Sequence, residues 1–261
     1  MDYLNLVGLK LPQGLDLNNI QPRTPAQKIN DSVGELNLQD GIDCPICKNK
    51  GYIAEDLTDG SFRIRDCTCK EKRRSVQMLK ASGLGDLMET YTFKNFTTAD
   101  EWTANLAEAA KNYLRGREDG KWFFVSGTPG TGKTHICTAI CRRLLNSGCG
   151  VRYMLWREEA PALKALVNDP GYDERFRKWA NAEALYIDDF LKGSVTPADV
   201  NLAFALINAR YNARGKRTII SSELPLADIS KYDEAVASRI YERAKGFILH
   251  APRDAKNFRK E

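Results

Sequence analysis

The 261-residue sequence predicts an α/β fold built on a five-stranded parallel sheet, and two features carry that reading. From about Thr92 onward, apolar runs at 121–126, 151–155, 184–188, 217–222 and 246–250 alternate with stretches of helical periodicity. Near-continuous apolar runs mark strands buried on both faces, so the intervening helices must cover both sides of the sheet. The second feature is Gly127-Thr128-Pro129-Gly130-Thr131-Gly132-Lys133-Thr134, an octapeptide set between the first of these strands and an amphipathic helix. Its glycines let successive backbone N–H groups turn inward onto phosphates, and the helix that follows presents its positive end to the same anion.

Composition sets the outer limits. A chain of this length with 43% hydrophobic residues buries a real core and accommodates one or two domains. The net charge of +5 fits contact with nucleic acid and equally fits a solvated surface, so it decides neither. No stretch reaches the roughly 18 apolar residues of a membrane span, and Met1-Asp2-Tyr3-Leu4-Asn5 lacks the pattern of a signal peptide. A cytoplasmic protein without membrane contact is expected, in which the seven cysteines read as thiols or metal ligands rather than disulfides.

Residues 1–40 are rich in Asn, Gln, Pro, Asp and Gly, which predicts a mobile segment with one short partner-binding helix near Leu4–Leu11. A second module is expected over 41–75. There Cys44, Cys47, Cys67 and Cys69 form two close pairs, joined by a β-hairpin turning at Asp59-Gly60. Four thiolates in two pairs suit tetrahedral Zn²⁺, against a reading as incidental buried thiols; the Cys-x-Cys second pair departs from the usual ribbon spacing. Such a module buries too little apolar surface to hold itself, so metal binding would supply most of its folding free energy. The basic run Lys70, Lys72, Arg73 and Arg74 reads either as a phosphate-tracking surface or as a solvated helix face. A linker helix over 76–91 then leads to the main domain, 92–261.

Within that domain a helix is expected over 100–115, with Trp102, Leu106, Ala109 and Tyr113 on one face. In the phosphate loop, Lys133 is placed to reach the β- and γ-phosphates and Thr134 to ligate Mg²⁺. The helix after it carries Ile136, Ala139, Ile140 and Leu144 at helical spacing and closes at Gly148, and its cysteines, with Cys149, read as packing residues. The strand Leu185-Tyr186-Ile187 ends in Asp188-Asp189, the acidic element that phosphoryl transfer requires. Asp188 would complete the Mg²⁺ shell opposite Thr134, and Asp189 would orient or deprotonate water. An aspartate in the second position has a shorter reach than glutamate, so slow hydrolysis is expected. The stretch 156–182 interleaves Arg157, Lys164, Arg175, Arg177 and Lys178 with Trp156, Phe176 and Trp179, which reads either as a single-strand nucleic-acid surface or as core aromatics.

The phosphate loop, Tyr186-Ile187-Asp188-Asp189-Phe190, Ile219-Ile220-Ser221-Ser222-Glu223-Leu224 and Ser238-Arg239-Ile240-Tyr241 stand in an order that resembles AAA+ ATPases of the DnaC-type replicative helicase loaders, most of all phage-like members. The resemblance covers roughly 92–260 and implies an AAA+ P-loop NTPase that uses ATP, ADP and Mg²⁺. It implies a DnaB-type replicative helicase and single-stranded DNA as partners, and an active form that is a homo-oligomer, hexameric or spiral on the helicase. Arg239 falls where such proteins place an arginine that enters a neighbouring subunit's nucleotide site, and an arginine suits this because its rigid fork pairs with phosphate oxygens. Arg210 resembles another position near the subunit junction. The sequence departs from the wider family at Glu223, which stands where a polar sensor of the γ-phosphate is usual, so that either Ser222 takes over or the sensing is indirect. After the fifth strand about ten residues remain, too few for a helical lid, and closure from a neighbouring subunit is expected. The alternatives are an IstB-like transposition helper ATPase, a small-molecule kinase with 157–178 as its lid, and an architectural zinc-binding adaptor with an inactive core.

Overall fold

The computed structural model describes residues 22–81, 85–116 and 120–259. The partner-binding helix expected near Leu4–Leu11 lies outside them. The chain divides after Cys67 into two compact units.

In the first unit, α1 (Pro25–Asp31) and α2 (Leu36–Asp40) precede the hairpin of β1 (Tyr52–Asp56) and β2 (Phe62–Asp66). The strands pair antiparallel from Tyr52 opposite Asp66 to Asp56 opposite Phe62, and Gly60 takes the left-handed turn position with φ +83°. Residues 25–40, expected to be mobile, are thus helical in two places. A capping box explains the first: Thr24 accepts from the Gln27 amide while the Gln27 side chain accepts from the Thr24 amide, and Pro25 starts the helix. Asn30 then fastens α1 to the hairpin, donating through Nδ2 to the Ala54 carbonyl at 2.8 Å and accepting the Ala54 amide at 2.9 Å. A single side-chain amide so satisfies both backbone groups of a strand residue.

The second unit begins with α3 (Cys69–Ala81), α4 (Gly85–Thr90) and α5 (Glu101–Arg115). It continues as β3 (Trp122–Ser126), α6 (Lys133–Asn146), β4 (Val151–Leu155), α7 (Trp156–Ala165), α8 (Tyr172–Ala180), β5 (Ala184–Asp188) and α9 (Pro197–Asn212). The last elements are β6 (Arg217–Ser222), α10 (Leu226–Tyr232), α11 (Glu234–Arg243) and β7 (Ile248–His250). All five strands of this unit are parallel, in the order β4-β5-β6-β3-β7. Alternation along β3 assigns its residues to two cores. Trp122 and Phe124 pack with Leu202, Leu206 and Ile240 on one face, whereas Phe123 and Val125 pack with Leu106, Ile136 and Ile140 on the other. Side chains of this kind contribute about 1.5–3 kcal/mol each on full burial.

Three expectations change here. A linker helix over 76–91 is replaced by α3 and α4, and Leu79 of α3 is wholly buried in the same core as Phe123 and Leu106, so this segment belongs to the second unit. Trp156 and Trp179 are each 3% exposed in the opposite core, so neither is a platform for stacking bases, and the half-buried Phe176 packs against the same core. The basic residues among them are largely occupied as well: Lys164 pairs with Asp199, Arg175 with Glu159 and Arg177 with Asp173.

Arg210, placed near a subunit junction by resemblance, is instead fully buried. Its guanidinium donates to Thr218 Oγ1 and to the carbonyls of Trp179, Ala180, Ala182 and Arg217. It ties α9 to the start of β6 and to the chain leaving α8. Arg210→Ala leaves those carbonyls unsatisfied and should cost about 3–5 kcal/mol in urea unfolding. Arg210→Lys, with three donors and no planar fork, should recover little of it. A loss below about 1 kcal/mol in either variant would show that the cluster does not hold the fold.

Candidate nucleotide site and cysteine cluster

The site is assembled where β3, β5 and β6 end. Register puts Ser126 opposite Ser222 and Ile187 opposite Ile220, so the phosphate loop, Asp188-Asp189 and Ser221–Glu223 emerge side by side. The Gly127 amide donates to the Ser222 carbonyl at 3.2 Å, which fastens the start of the loop to β6. Gly132, at φ +90°, caps α6 without a side-chain acceptor, leaving the amides of the first turn available to an anion. Lys133 is buried and donates to the carbonyls of Gly127 and Thr128, both at 2.7 Å. Burial depresses its pKa, while Glu223 and Asp189 act in the opposite sense. Bound phosphate would offset the loss of solvation that burial imposes on the ammonium.

Lys133 and Thr134 line a cavity of about 430 Å³ together with Asp188, Asp189, Lys192 and Glu223. Both carboxylate oxygens of Asp188 have donors: Ser221 Oγ donates to Oδ1, and Tyr153 OH donates to Oδ2 at 3.2 Å. Burial and the adjacent Asp188 charge push the Tyr153 phenol far up, so it stays protonated and keeps its donor. The Asp188 carboxylate is therefore held in one orientation by protein donors alone. Asp189 adopts φ +55°, a strained conformation for a residue with a side chain, and turns its carboxylate onto Lys192.

Part of the cavity lining is aromatic. Tyr91, Phe96, His135 and Phe258 supply it, with the Tyr91 and His135 rings stacked at 4.5 Å and Phe96 set edge-on to His135. Such a wall suits the faces of a purine base. Residues 251–259 run back across the loop: the Phe258 amide donates to the Gly130 carbonyl at 3.0 Å. A Cβ at Gly130, already at φ +85°, would lie 1.9 Å from Asn257 Oδ1, so glycine is demanded there twice over. The short segment after the last strand therefore clasps the phosphate loop rather than standing aside from it.

The remaining sequence-derived assignments fare unequally. Thr128 and Thr131 shape the loop, the Thr131 hydroxyl donating to the Thr128 carbonyl at 3.0 Å, and Pro129 lines the cavity. Ser222, an expected phosphate contact, is fully buried, donates to the Phe190 carbonyl and accepts the Leu224 amide, so its hydroxyl is consumed inside the fold. Its neighbour Ser221 is the one that serves the site. Arg239 does not line this chain's own cavity; its guanidinium lies over the rings of Phe204 and Tyr211 on the α9–α11 face. The sequence by itself assigns no site role to Lys192, Tyr153, Ser221 or the aromatic wall. Only Tyr153 had a usable signal, since it sits two residues from the end of a strand that runs beside the Asp188 strand.

The sulfur atoms of Cys44, Cys47, Cys67 and Cys69 lie within 4.8 Å of one another, and all four residues are buried. Cys44 and Cys67 Sγ are 3.7 Å apart, close to the roughly 3.8 Å between two thiolates on a tetrahedral ion with 2.3 Å bonds. The Gly51 amide donates to Cys47 Sγ at 3.2 Å, a bond that stabilises a thiolate, and Lys48 and Asn49 take the left-handed conformation in the tight turn between them. The donor set and spacing fit a thiolate-bound metal. By contrast, burial drives the Cys137 and Cys141 thiols well above their ordinary range, which makes them inert packing groups.

An interior phosphate-loop strand, an Asp-Asp strand end separated from it by one intervening strand, and the order β4-β5-β6-β3-β7 define an AAA+ P-loop NTPase core. Residues 62–251 match the family of IstB-like ATP binding proteins, and the chain belongs to that family. It is 28% identical over 221 residues to the phage-like element PBSX protein XkdC of Bacillus subtilis, covering 79% of this chain and 81% of XkdC. It is 29% identical over 133 residues to the replicative helicase loader DnaC of Escherichia coli, covering 48% of this chain and 54% of DnaC, so it spans about half the length of that relative. A solved structure of the DnaC helicase loader superposes with a TM-score of 0.57 at 20% identity, over 64% of this chain and 99% of that one. Among the described residues no helix is long and apolar enough to cross a membrane.

His135 supplies a pH test of the aromatic wall. Its Nε2 donates to the Thr92 carbonyl at 3.0 Å, and burial lowers its pKa from 6.5. The unfolded chain thus takes up a proton near pH 6.5 that the folded site refuses until lower pH, and stability is lost as pH falls through that window. His135→Gln should reduce the slope of unfolding free energy as pH falls below about 6.5. An identical slope in wild type and variant would mean that the ring titrates as it does in water.

Proposed function

We propose that the protein is an ATP-hydrolysing loader that binds a ring-shaped, DnaB-type replicative helicase and places it on single-stranded DNA. The observation that carries this reading is the pre-oriented Asp188 lining, with Lys133 and Thr134, a cavity large enough for a nucleotide. The likeness to DnaC supplies the partner. In this reading Lys133 and the loop bind the triphosphate, Thr134 and Asp188 hold Mg²⁺, and Asp189 orients water once its carboxylate is freed from Lys192. Arg239 acts on the site of a neighbouring copy in a homo-oligomer, which accords with its absence from its own cavity lining. Zn²⁺ bound by Cys44, Cys47, Cys67 and Cys69 would hold the hairpin module as a partner-binding surface, and the helicase is the partner we assign to it.

A second reading, an IstB-like helper that binds and remodels DNA for a transposase, draws on the family match across residues 62–251. Co-purification in the presence of ATP separates the two. Recovery of the cognate replicative helicase supports the loader, and recovery of a transposase without the helicase would replace it.

Lys133→Ala should abolish ATP binding by calorimetry, whereas Asp189→Asn should bind ATP and lose most turnover. Wild-type turnover in Asp189→Asn would remove that residue from the mechanism. Cys44→Ser or Cys69→Ser should release about one metal ion per chain in elemental analysis and weaken helicase capture while ATP affinity stays unchanged. Purified wild-type protein carrying no metal would sink the zinc assignment.

A further inference from the structure

Three carboxylates, Asp188, Asp189 and Glu223, line the cavity in which a polyphosphate would lie, together with the cations Lys133, Lys192 and Arg259. Asp188 would serve a bound metal ion. The other two carboxylates stand where they would repel a terminal phosphate, and Lys192 joins them. Its Nζ lies 3.2 and 3.1 Å from the two Asp189 oxygens and 2.8 Å from Glu223 Oε1. An ammonium has three protons, so this bridge uses all of them. Burial works against the charge on Lys192, but its bonds to Glu223 and Asp189 more than offset that, and the ammonium is held above the ordinary lysine value.

The backbone around it is strained. Asp189 and Leu191 both adopt φ +55°, and the Lys192 amide closes a tight turn onto the Asp189 carbonyl at 3.0 Å. Two residues with side chains in the left-handed region within three positions are a strained arrangement that the surrounding contacts must hold in place. The turn presents Lys192 to the cavity, and its side chain is 24% exposed, so it is neither locked in the core nor free in solvent.

We propose that Lys192 is the side chain by which this site tells a nucleoside triphosphate from a diphosphate: it leaves the Asp189–Glu223 bridge to pair with the terminal phosphate. The inference rests on the nucleotide-binding reading above. A diphosphate lacks the group that could draw Lys192 away, so the bridge stays closed and Asp189 stays neutralised. A triphosphate offers a stronger, multiply charged acceptor, and the exchange frees the Asp189 carboxylate to orient water. Lys192 thereby takes up the sensing role that Glu223, an acceptor without a proton to donate, cannot fill at a phosphate.

The test measures ATP and ADP affinities by calorimetry, with Mg²⁺, for wild type, Lys192→Met, Lys192→Gln, Lys192→Arg, Glu223→Gln and the Lys192→Met/Glu223→Gln double variant. Lys192→Met and Lys192→Gln should each weaken ATP binding roughly tenfold or more, the worth of one hydrogen bond to a charged group, with ADP affinity within about twofold of wild type. Lys192→Arg should restore part of the ATP preference. The loss should persist in the Glu223→Gln background, since the contact made is with phosphate. If instead it vanishes there, Lys192 merely neutralises Glu223 and the exchange is wrong. Equal losses for both nucleotides, no loss, or a wild type that binds both equally would also overturn the proposal. A wild type that binds neither nucleotide would defeat the ATP reading itself.

Discussion

Five strands running in one direction deliver all their carboxyl ends, and every loop that follows them, to a single edge of the sheet. Most of what this protein can do depends on that constraint. The phosphate loop after β3 and the acidic pair after β5 come from strands that are not neighbours, and β6 lies between them. The hydroxyl of Ser221 on β6 reaches one oxygen of Asp188, and Tyr153 on β4 reaches the other. A shift of one residue in any of these pairings would turn the side chains to the opposite face and dismantle the site, so register and chemistry are coupled here.

Charge placement inside that frame follows one rule: each buried ionic group has a partner, and the partner differs with the role. Arg210 is bound to four backbone carbonyls and a hydroxyl and is locked. Lys133 is held only by two carbonyls of its own loop, and Lys192 by two carboxylates at the cavity wall. Partners at the cavity can be exchanged for a phosphate at modest cost, whereas the carbonyl cage around Arg210, away from the cavity and sealed from solvent, cannot be opened without leaving several acceptors dry. The same cation chemistry thus serves as a structural pin in one place and as a ligand-responsive group in another.

The strands were legible because apolar runs bounded by polar residues leave little ambiguity: β4, β5 and β6 begin and end where the patterns do. The phosphate loop, Asp188, Asp189 and the four-cysteine set were legible for a related reason, since each is a short motif whose spacing carries its own geometry. Ser222 and Ser221 show where that stops. The two are chemically alike and adjacent, and only strand direction decides which hydroxyl meets Asp188 and which meets the Phe190 carbonyl. Trp156 and Trp179 show the same limit, because an aromatic beside basic residues looks identical in sequence whether it stacks on a base or closes a core. The helices over 25–40 were hidden by a polar composition whose capping box and Asn30 contact act through single side chains rather than through periodicity.

Local sequence by itself determined the α/β class, the parallel sheet, the phosphate loop with its lysine and threonine, and the paired cysteines. Each depends on neighbours a few residues apart, where chain connectivity already sets the distances. Only the tertiary structure decided that Tyr153 and Ser221 hold Asp188, that Lys192 bridges Asp189 and Glu223, that Arg210 is a buried pin, and that Asn257 and Phe258 lie across Gly130. Those contacts join elements distant in the chain, and their energies come from burial and strand register, which no short stretch of residues encodes.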